Sequence, residues 1–243
     1  MEIINIPATG STNDELTERV KSGAITGPTI LRATTQTAGR GQLDKTWDTQ
    51  PGENLTFSIY MPWEGLLASQ LFTVNMLVVA AILEVLDSYH IDALAKWPND
   101  ILAERRKLAG ILIENTLQGT HVKHSIIGIG INVNQTQFDE KLKATSLFLL
   151  RSKPVDLDVL FSAFAKALSR HLARVPVPPN SDLKQNYLKR LIGVANTHNY
   201  LVKETGVMLH AGVAGITNDG RIILDTTDNQ QLTFGNGELL FMY

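Results

Sequence analysis

Apolar residues dominate one long segment of the chain, from about Leu66 to Tyr89, and predict a single long helix there. Polar residues such as Gln70 and Asn75 interrupt the run, as expected for a helix buried in a protein core and not for a membrane span. A second helix is predicted at residues 157–172, where apolar side chains recur three and four positions apart. Two helices are thus available to cover a hydrophobic core.

Four segments rich in β-branched and aromatic residues predict strands in the first two thirds of the chain. Thr29–Thr35 and Asn54–Met61 are the first two, separated by a polar loop. Lys107–Asn115 and His121–Asn132 read as a hairpin whose turn includes Gln118-Gly119. Together with the helices they predict an α/β (α+β) fold built on a sheet.

Both ends of this first unit carry further helix signals. Thr12 and Glu15 have the spacing of a capping box that opens a short helix. Near the other end, the proline-rich segment 176–181 is the clearest linker signal, yet residues 183–191 still have a helical pattern and are expected to pack back on the first unit.

Short strands and turns replace this pattern from about Ile192 onward. Turn sequences recur at 203–206, 218–220 and 236–237, which is typical of a small β-barrel. We therefore predict two domains, at residues 1–191 and 192–243.

The composition of the chain excludes several classes of function. The chain has 243 residues, of which 44% are hydrophobic, and a formal net charge of −2, so no nucleic-acid or polybasic membrane surface is indicated. It contains no cysteine, which excludes disulfides, thiolate nucleophiles and cysteine-based metal sites. The first residues lack the basic start and apolar run of a secretory signal. We expect a soluble, cytoplasmic protein that does not bind nucleic acid or membranes.

The polar loop Gln36–Trp47 carries the first candidate ligand contacts. Gly39 and Gly41 flank Arg40, so the backbone can approach a ligand closely while the arginine supplies a cation. An ordinary surface glycine turn has the same composition. Trp47 at the end of the loop is suited either to stacking on a purine ring or to anchoring the loop to the core.

A more specific pattern follows in Lys96-Trp97-Pro98-Asn99-Asp100 and in Lys107. The Trp-Pro pair holds a lysine and an aspartate in fixed geometry, and the aspartate is a natural ligand for Mg²⁺ bridging phosphate oxygens. The alternative is a turn in which Asn99 and Asp100 satisfy local backbone groups. Lys107 opens an apolar strand, and the small residues beside it leave space for a ligand, although snorkelling to water is the usual explanation for such a lysine.

Two further segments have open interpretations. The alternation in Gly128–Asn134 predicts a strand whose glycines admit a close neighbour. Ser11-Thr12-Asn13 offers hydroxyl and amide groups at a helix start, which suit either ligand binding or simple capping.

These motifs, in this order and spacing, closely resemble those of biotin protein ligases (biotin–acetyl-CoA-carboxylase ligases). The resemblance implies a mixed-sheet catalytic domain related to class II aminoacyl-tRNA synthetases, followed by a small C-terminal SH3-like β-barrel. It also implies the substrates ATP and biotin, the ion Mg²⁺, and a biotin carboxyl carrier protein, of acetyl-CoA carboxylase or a related biotin-dependent enzyme, as partner. The implied reaction forms biotinyl-5′-AMP and then transfers biotin to a carrier lysine.

The resemblance assigns residues to three roles. Catalysis falls to Lys107, Arg40 and Asp100, with Asp100 as the magnesium ligand. The ATP or adenylate contacts are Arg40, Lys45, Trp47, Lys96, Asn99, Lys107 and Asn132. The biotin contacts are Ser11, Thr12, Asn13, Gln36, Gly39, Arg40, Gly41, Gln42, Lys107 and Gly110.

Three departures from the family pattern are visible. Many members have further arginines where this chain has Gln42-Leu43-Asp44-Lys45, which weakens the expected retention of the adenylate. Met242 stands where some members supply an arginine to the nucleotide, so the barrel is expected to support carrier docking or stability instead. The motifs begin near Met1, so the monofunctional type without a DNA-binding domain is expected.

Two alternative functions remain open from the sequence. One is a lipoate or octanoate transferase of the related fold, although Lys96–Asp100 and Lys107–Gly110 fit the biotin branch better. The other is a non-catalytic biotin-binding regulatory module.

Overall fold

The computed structural model describes residues 1–43, 45–177 and 182–242. Its helices are α1 Thr12–Lys21, α2 Phe72–Ser88, α3 Leu147–Arg151, α4 Leu157–Leu172 and α5 Leu183–Lys189. Its strands are β1 Glu2–Thr9, β2 Thr29–Gln36, β3 Leu55–Pro62, β4 Ala93–Lys96, β5 Asp100–Ala103, β6 Arg106–Gln118, β7 His121–Ile131, β8 His198–Val202, β9 Met208–Ile216, β10 Ile222–Thr226, β11 Gln231–Phe234 and β12 Leu239–Met242.

The strands form two sheets. The first has seven strands in the order β1-β2-β3-β7-β6-β5-β4; β1 and β2 are parallel and every other neighbouring pair is antiparallel. The second has five antiparallel strands in the order β11-β10-β9-β8-β12. This confirms the predicted α/β (α+β) class, with a mixed sheet followed by a smaller all-β unit.

Helix α2 is the centre of the core, as its apolar run predicts. Residues 68–88 are long and apolar enough to cross a membrane by length and composition, but 67% of the most apolar window is buried within the protein. Helix α4 packs beside α2, and both share one apolar cluster with β3, β6 and β7. One of the polar interruptions has a clear role: the Asn75 side chain donates a hydrogen bond of 2.7 Å to the Pro98 carbonyl.

Helix α1 begins one residue earlier than the capping-box pattern indicates. Ser11 is the N-cap and accepts a hydrogen bond from the Asp14 backbone. Thr12 is therefore free of the capping role, and its backbone N–H and hydroxyl both contact the Gln36 side chain. Strand β1, which the sequence analysis did not predict, runs beside β2 at the edge of the sheet.

The chain crosses from the first sheet to the second directly beside β4. Helix α5 packs back on the first unit as expected, with Tyr187 edge-on to Phe72 at 5.5 Å. Ala95 then accepts a hydrogen bond from the Ile192 backbone and donates one to Arg190. The predicted linker includes residues 178–181, which lie outside the described residues. The boundary between residues 191 and 192 stays a prediction.

Candidate active site

A cleft of about 650 Å³ lies where the first sheet faces the second. It gathers fourteen of the residues that the sequence analysis singled out: Ser11, Thr12, Asn13, Gln36, Arg40, Gly41, Gln42, Lys45, Trp47, Lys96, Asn99, Asp100, Lys107 and Gly110. These residues come from α1, β2, the loop after it, and β4 to β6, so the sheet brings together segments that are distant in sequence.

Two predicted contacts, Gly39 and Asn132, lie outside the cleft lining. Gly39 accepts a hydrogen bond of 2.9 Å from the Trp47 backbone, so it closes the base of the loop. Asn132 is buried and donates from its amide to the Thr145 carbonyl at 3.0 Å and the Lys107 carbonyl at 3.3 Å. Both residues have structural contacts beside the site, and Asn132 fixes the backbone of Lys107.

One end of the cleft is lined by neutral polar groups in a continuous network. The Ser58 hydroxyl lies 2.7 Å from Thr12 Oγ1 and 2.6 Å from Asn13 Oδ1. Asn13 Nδ2 donates a hydrogen bond of 2.6 Å to Glu114. Gly128 underlies Asn13, because a Cβ at this position would lie 3.0 Å from Asn13 Cγ. The prediction that the strand glycines admit a close neighbour is confirmed here.

Arg40 is held by two carboxylates that the sequence analysis did not assign to the site. Its Nη2 atom lies 2.7 Å from Asp14 Oδ1 and 2.9 Å from both carboxylate oxygens of Glu114. The loop is thereby tied to α1 and β6. Charge complementarity was the available signal in the sequence, since Glu114 lies on the same predicted strand as Lys107 and Asp14 directly follows the predicted biotin residues.

Trp47 lies against the floor of the cleft. A Cβ at Gly110 would come within 2.9 Å of Trp47 Cζ3, and one at Gly130 within 2.6 Å of its Cζ2, so the indole fits only because both positions are glycine. The Lys107 ammonium lies 5.4 Å from the centre of the Trp47 ring. Trp47 Nε1 is buried and has no hydrogen-bond partner among the described residues.

The charged centre of the cleft is the pair formed by Lys107 and Asp100. Lys107 Nζ lies 2.6 Å from Asp100 Oδ1, so the two side chains form an ion pair, and this oxygen accepts no hydrogen bond among the described residues. Asn99 anchors the adjoining turn, because its backbone and side chain both bond to the backbone of Ile111 at 2.9 and 2.8 Å. The alternative interpretation, a turn in which Asn99 satisfies local backbone groups, applies only in part, because the backbone that Asn99 bonds to belongs to β6.

Lys96 lies near the same pair. Burial lowers the pKa of the Lys96 ammonium; Asp100 opposes this, and the charges of Lys107, Lys45 and Lys143 lower the pKa further. A bound anion would relieve the repulsion between these cations.

The cleft is strongly cationic although the chain is close to neutral. Asp100 is the one carboxylate among the described residues that line it, whereas the cations are Arg40, Lys45, Lys96, Arg105, Lys107, Lys141, Lys143 and Lys203. Four of these cations were not predicted from the sequence, because they lie in three separate segments that share no motif: Arg105, Lys203, and the pair Lys141 and Lys143 at one short 3-10 helix. Such a site favours a polyanion, including a nucleoside triphosphate.

Asp100 is suited to Mg²⁺ in the company of phosphate oxygens. Among the described residues, no three His, Cys, Asp or Glu side chains cluster to form a protein-only metal site. Mg²⁺ is ordinarily bound by one or two carboxylates together with substrate phosphates, so Asp100, the one carboxylate in the described lining of the cleft, suits the ion.

The second sheet contributes one wall of the cleft, which the sequence analysis did not foresee. Its lining residues are Lys203, Asn236, Gly237, Leu239, Leu240 and Phe241. The loop after β2 contacts this wall, since Asn236 Nδ2 donates a hydrogen bond of 3.0 Å to Gln42 and Leu43 packs near Gly237. Gln42 and Leu43, which belong to the segment that departs from the family pattern, thus have partners in the second sheet. Asp44 of the same segment lies outside the described residues.

Comparisons with known proteins agree with this geometry. A sequence model of the biotin/lipoate A/B protein ligase family matches residues 6–132. The biotin–acetyl-CoA-carboxylase ligase of Mycobacterium tuberculosis is 30% identical over 228 residues, which cover 90% of this chain and 82% of that protein. The bifunctional ligase/repressor BirA of Bacillus subtilis is 28% identical over 208 residues, which cover 82% of this chain and 62% of BirA, so the chain spans less than two thirds of that relative.

A solved structure matches over nearly the full length of the described fold. The biotin protein ligase from Aquifex aeolicus in complex with biotin and ATP superimposes with a TM-score of 0.76 at 25% identity, covering 99% of this chain and 98% of that one.

Proposed function

Because the chain belongs to the biotin/lipoate A/B protein ligase family, we propose that it is a biotin protein ligase. It activates biotin with ATP and then transfers biotin to a lysine of a carrier protein. The observation that carries this proposal is the arrangement of the cleft, in which a neutral hydrogen-bonding end at Asn13 leads to a cationic end at Lys107. The similar Aquifex aeolicus structure holds biotin and ATP together.

The neutral end suits the ureido ring of biotin. Ser11, Thr12, Asn13 and Gln36 supply hydroxyl and amide groups there, and Ser58 fixes two of these side chains. A ring with both N–H donors and a carbonyl acceptor needs groups of this kind. Gly41, Gln42 and Gly110 border the path toward the carboxylate end.

In the first step, a carboxylate oxygen of biotin attacks the α-phosphorus of ATP. The new bond forms as the bond to the leaving pyrophosphate breaks, and biotinyl-5′-AMP remains. Lys107 lies at the cationic end and offsets the negative charge that develops at the reacting oxygens. Lys96 and Lys45 hold the phosphates in line, since positioning and charge stabilisation supply most catalysis in such transfers. Asp100 would hold Mg²⁺, which would supply further positive charge to the phosphates.

In the second step, the amine of a carrier lysine attacks the acyl carbon of the adenylate. AMP leaves, an amide forms, and the neutral attacking amine gives up one proton to solvent. Arg40 and Trp47 contact the adenylate in this proposal, and Asn99 keeps the Lys96–Asp100 turn in place. The chemistry requires no covalent bond to the enzyme.

The acceptor is a biotin carboxyl carrier protein of acetyl-CoA carboxylase or a related biotin-dependent enzyme. Support comes from the names of the relatives in Mycobacterium tuberculosis and Paracoccus denitrificans, both of which are biotin–acetyl-CoA-carboxylase ligases. We further propose that the protein acts in the cytoplasm, in keeping with the absence of cysteine.

Intact-mass spectrometry of the acceptor tests the proposal directly. The protein is mixed with biotin, MgATP and a recombinant biotin carboxyl carrier domain, and the control domain has its acceptor lysine changed to arginine. We expect one biotinyl group on the unaltered domain and none on the control. Modification with lipoate or octanoate but not biotin would favour the transferase alternative, and binding of biotin without any modification would favour the regulatory module.

A further inference from the structure

An aromatic residue of the second sheet lies directly beside one of the phosphate-site lysines. Lys96 Nζ is 5.5 Å from the centre of the Phe241 ring. The ring is only 9% exposed and is held edge-on to Tyr200 at 4.8 Å. Tyr200 is fully buried and lies opposite Phe241 in the β8–β12 pairing. The position of the ring is therefore fixed by the core of the second sheet.

Charges of both signs surround Lys96. Lys107 on β6, Lys45 in the loop after β2 and Lys143 beyond β7 all repel it, and Asp100 on β5 is its acidic counterpart. Asp100 is shared, since Lys107 Nζ contacts it at 2.6 Å. The electron-rich face of an aromatic ring attracts an ammonium group and adds no charge to the phosphate site.

Two further contacts join the same turn to the second unit. Trp97 Nε1 donates a hydrogen bond of 2.8 Å to the Gly220 carbonyl. Ala95, directly before Lys96, is hydrogen-bonded on both sides to residues 190 and 192. The backbone that carries Lys96 is thus fixed by the chain entering the second sheet, and the side chain by β12 of that sheet.

We propose that Phe241 is a positioning residue for Lys96, through which the C-terminal sheet sets the affinity for the nucleoside triphosphate. This inference rests on the proposed function and names a part of its ATP site. It also assigns the second sheet to the adenylation step, whereas the sequence alone suggested carrier docking or stability.

The first test compares three variants in biotin-dependent adenylate formation. Phe241→Leu removes the aromatic face, Phe241→Tyr retains it, and Phe234→Leu is the matched control on β11, outside the cleft lining. We expect Phe241→Leu to raise the KM for ATP about tenfold, equal to about 1.4 kcal/mol, with the KM for biotin unchanged. Phe241→Tyr and Phe234→Leu are expected to stay within about twofold of the unaltered protein. Equal losses in Phe241→Leu and Phe241→Tyr would overturn the inference.

A double-mutant cycle separates positioning from general destabilisation. If Phe241 acts through Lys96, Phe241→Leu causes no further loss of ATP affinity in a Lys96→Met background. Independent, multiplicative losses would contradict the inference.

Calorimetric titration with ATP supplies the affinities without turnover, and Phe241→Met replaces the leucine variant if melting temperatures show that it unfolds. A wild-type protein that binds ATP but forms no adenylate would contradict the proposed function alone, whereas an active Phe241→Leu enzyme with an unchanged ATP affinity would contradict this inference alone.

Discussion

Substitution of Gly128 by alanine is expected to damage the biotin end of the cleft while leaving the phosphate end intact. The new Cβ would lie 3.0 Å from Asn13 Cγ and closer still to Asn13 Oδ1, whereas ordinary contacts begin at 3.4 Å. Because the neighbouring strands β3 and β6 confine Gly128 on both sides, the Asn13 amide must move, by about half an ångström to one ångström in a close-packed interior. That shift strains its contacts with Ser58 and Glu114, both 2.6 Å long.

This shift is expected to lower both the stability of the protein and its affinity for biotin, by amounts that can be estimated separately. Weakening two hydrogen bonds at about 1 kcal/mol each lowers the free energy of unfolding by about 2 kcal/mol. Misplacing Asn13 also leaves a polar group of the ureido ring unpaired on binding, at a cost of about 1 to 3 kcal/mol. The second cost predicts that biotin binds roughly 5 to 150 times more weakly.

Isothermal titration with biotin measures the affinity, and a melting curve checks the fold. Gly215→Ala is the matched control, because Gly215 also lies inside a strand but the nearest atom to its Cβ would be 3.7 Å away. The control should bind biotin normally. If the folded Gly128→Ala protein binds biotin within twofold of the unaltered protein, Asn13 does not contact the ligand and the assignment of this end of the cleft is wrong.

The other predictions concern the cationic end and the loop. Lys107→Ala should slow adenylate formation by about two to three orders of magnitude in a folded protein, and near-normal turnover would remove Lys107 from the mechanism. Asp100→Asn should raise the Mg²⁺ concentration needed for the first step; if it slows only transfer from preformed biotinyl-5′-AMP, the metal assignment fails. Trypsin should cleave after Arg40 or Lys45 in the free protein and more slowly with biotin and ATP bound, so equal rates would argue for a preformed site. Glu114→Gln removes one charge that holds Arg40 and should accelerate that cleavage in the free state, with no acceleration if Asp14 alone secures the loop.

The local sequence pattern was sufficient to predict the helices and strands that bury one face in the core. The apolar spacing of residues 157–172 predicted α4, and the hairpin of β6 and β7 followed from its strands and the Gln118-Gly119 turn. Strand β1 was missed because half-exposed edge strands carry a weak pattern. The helix cap was misplaced by one residue because Ser11 and Thr12 are equally suited to the position.

The site was predictable to the extent that its residues lie in contiguous motifs. Lys96–Asp100 and Lys107 are examples, and the sheet register brings them together through β5 and β6. Phe241 and Lys203 had no such signal, because they reach the cleft only through the docking of the second sheet. The cationic character of the cleft could not be predicted from the net charge of −2 either, because acidic residues elsewhere in the chain offset the cations that line the cleft.

Release of pyrophosphate is the most direct measurement of the central claim. The protein is mixed with MgATP in the presence and absence of biotin, with no carrier protein, and the products are separated by chromatography. We expect pyrophosphate release that requires biotin, accompanied by an equal amount of biotinyl-5′-AMP. A folded protein that binds biotin but releases no pyrophosphate, or that releases it equally without biotin, would contradict the assignment of this cleft as the active site of a biotin-activating ligase.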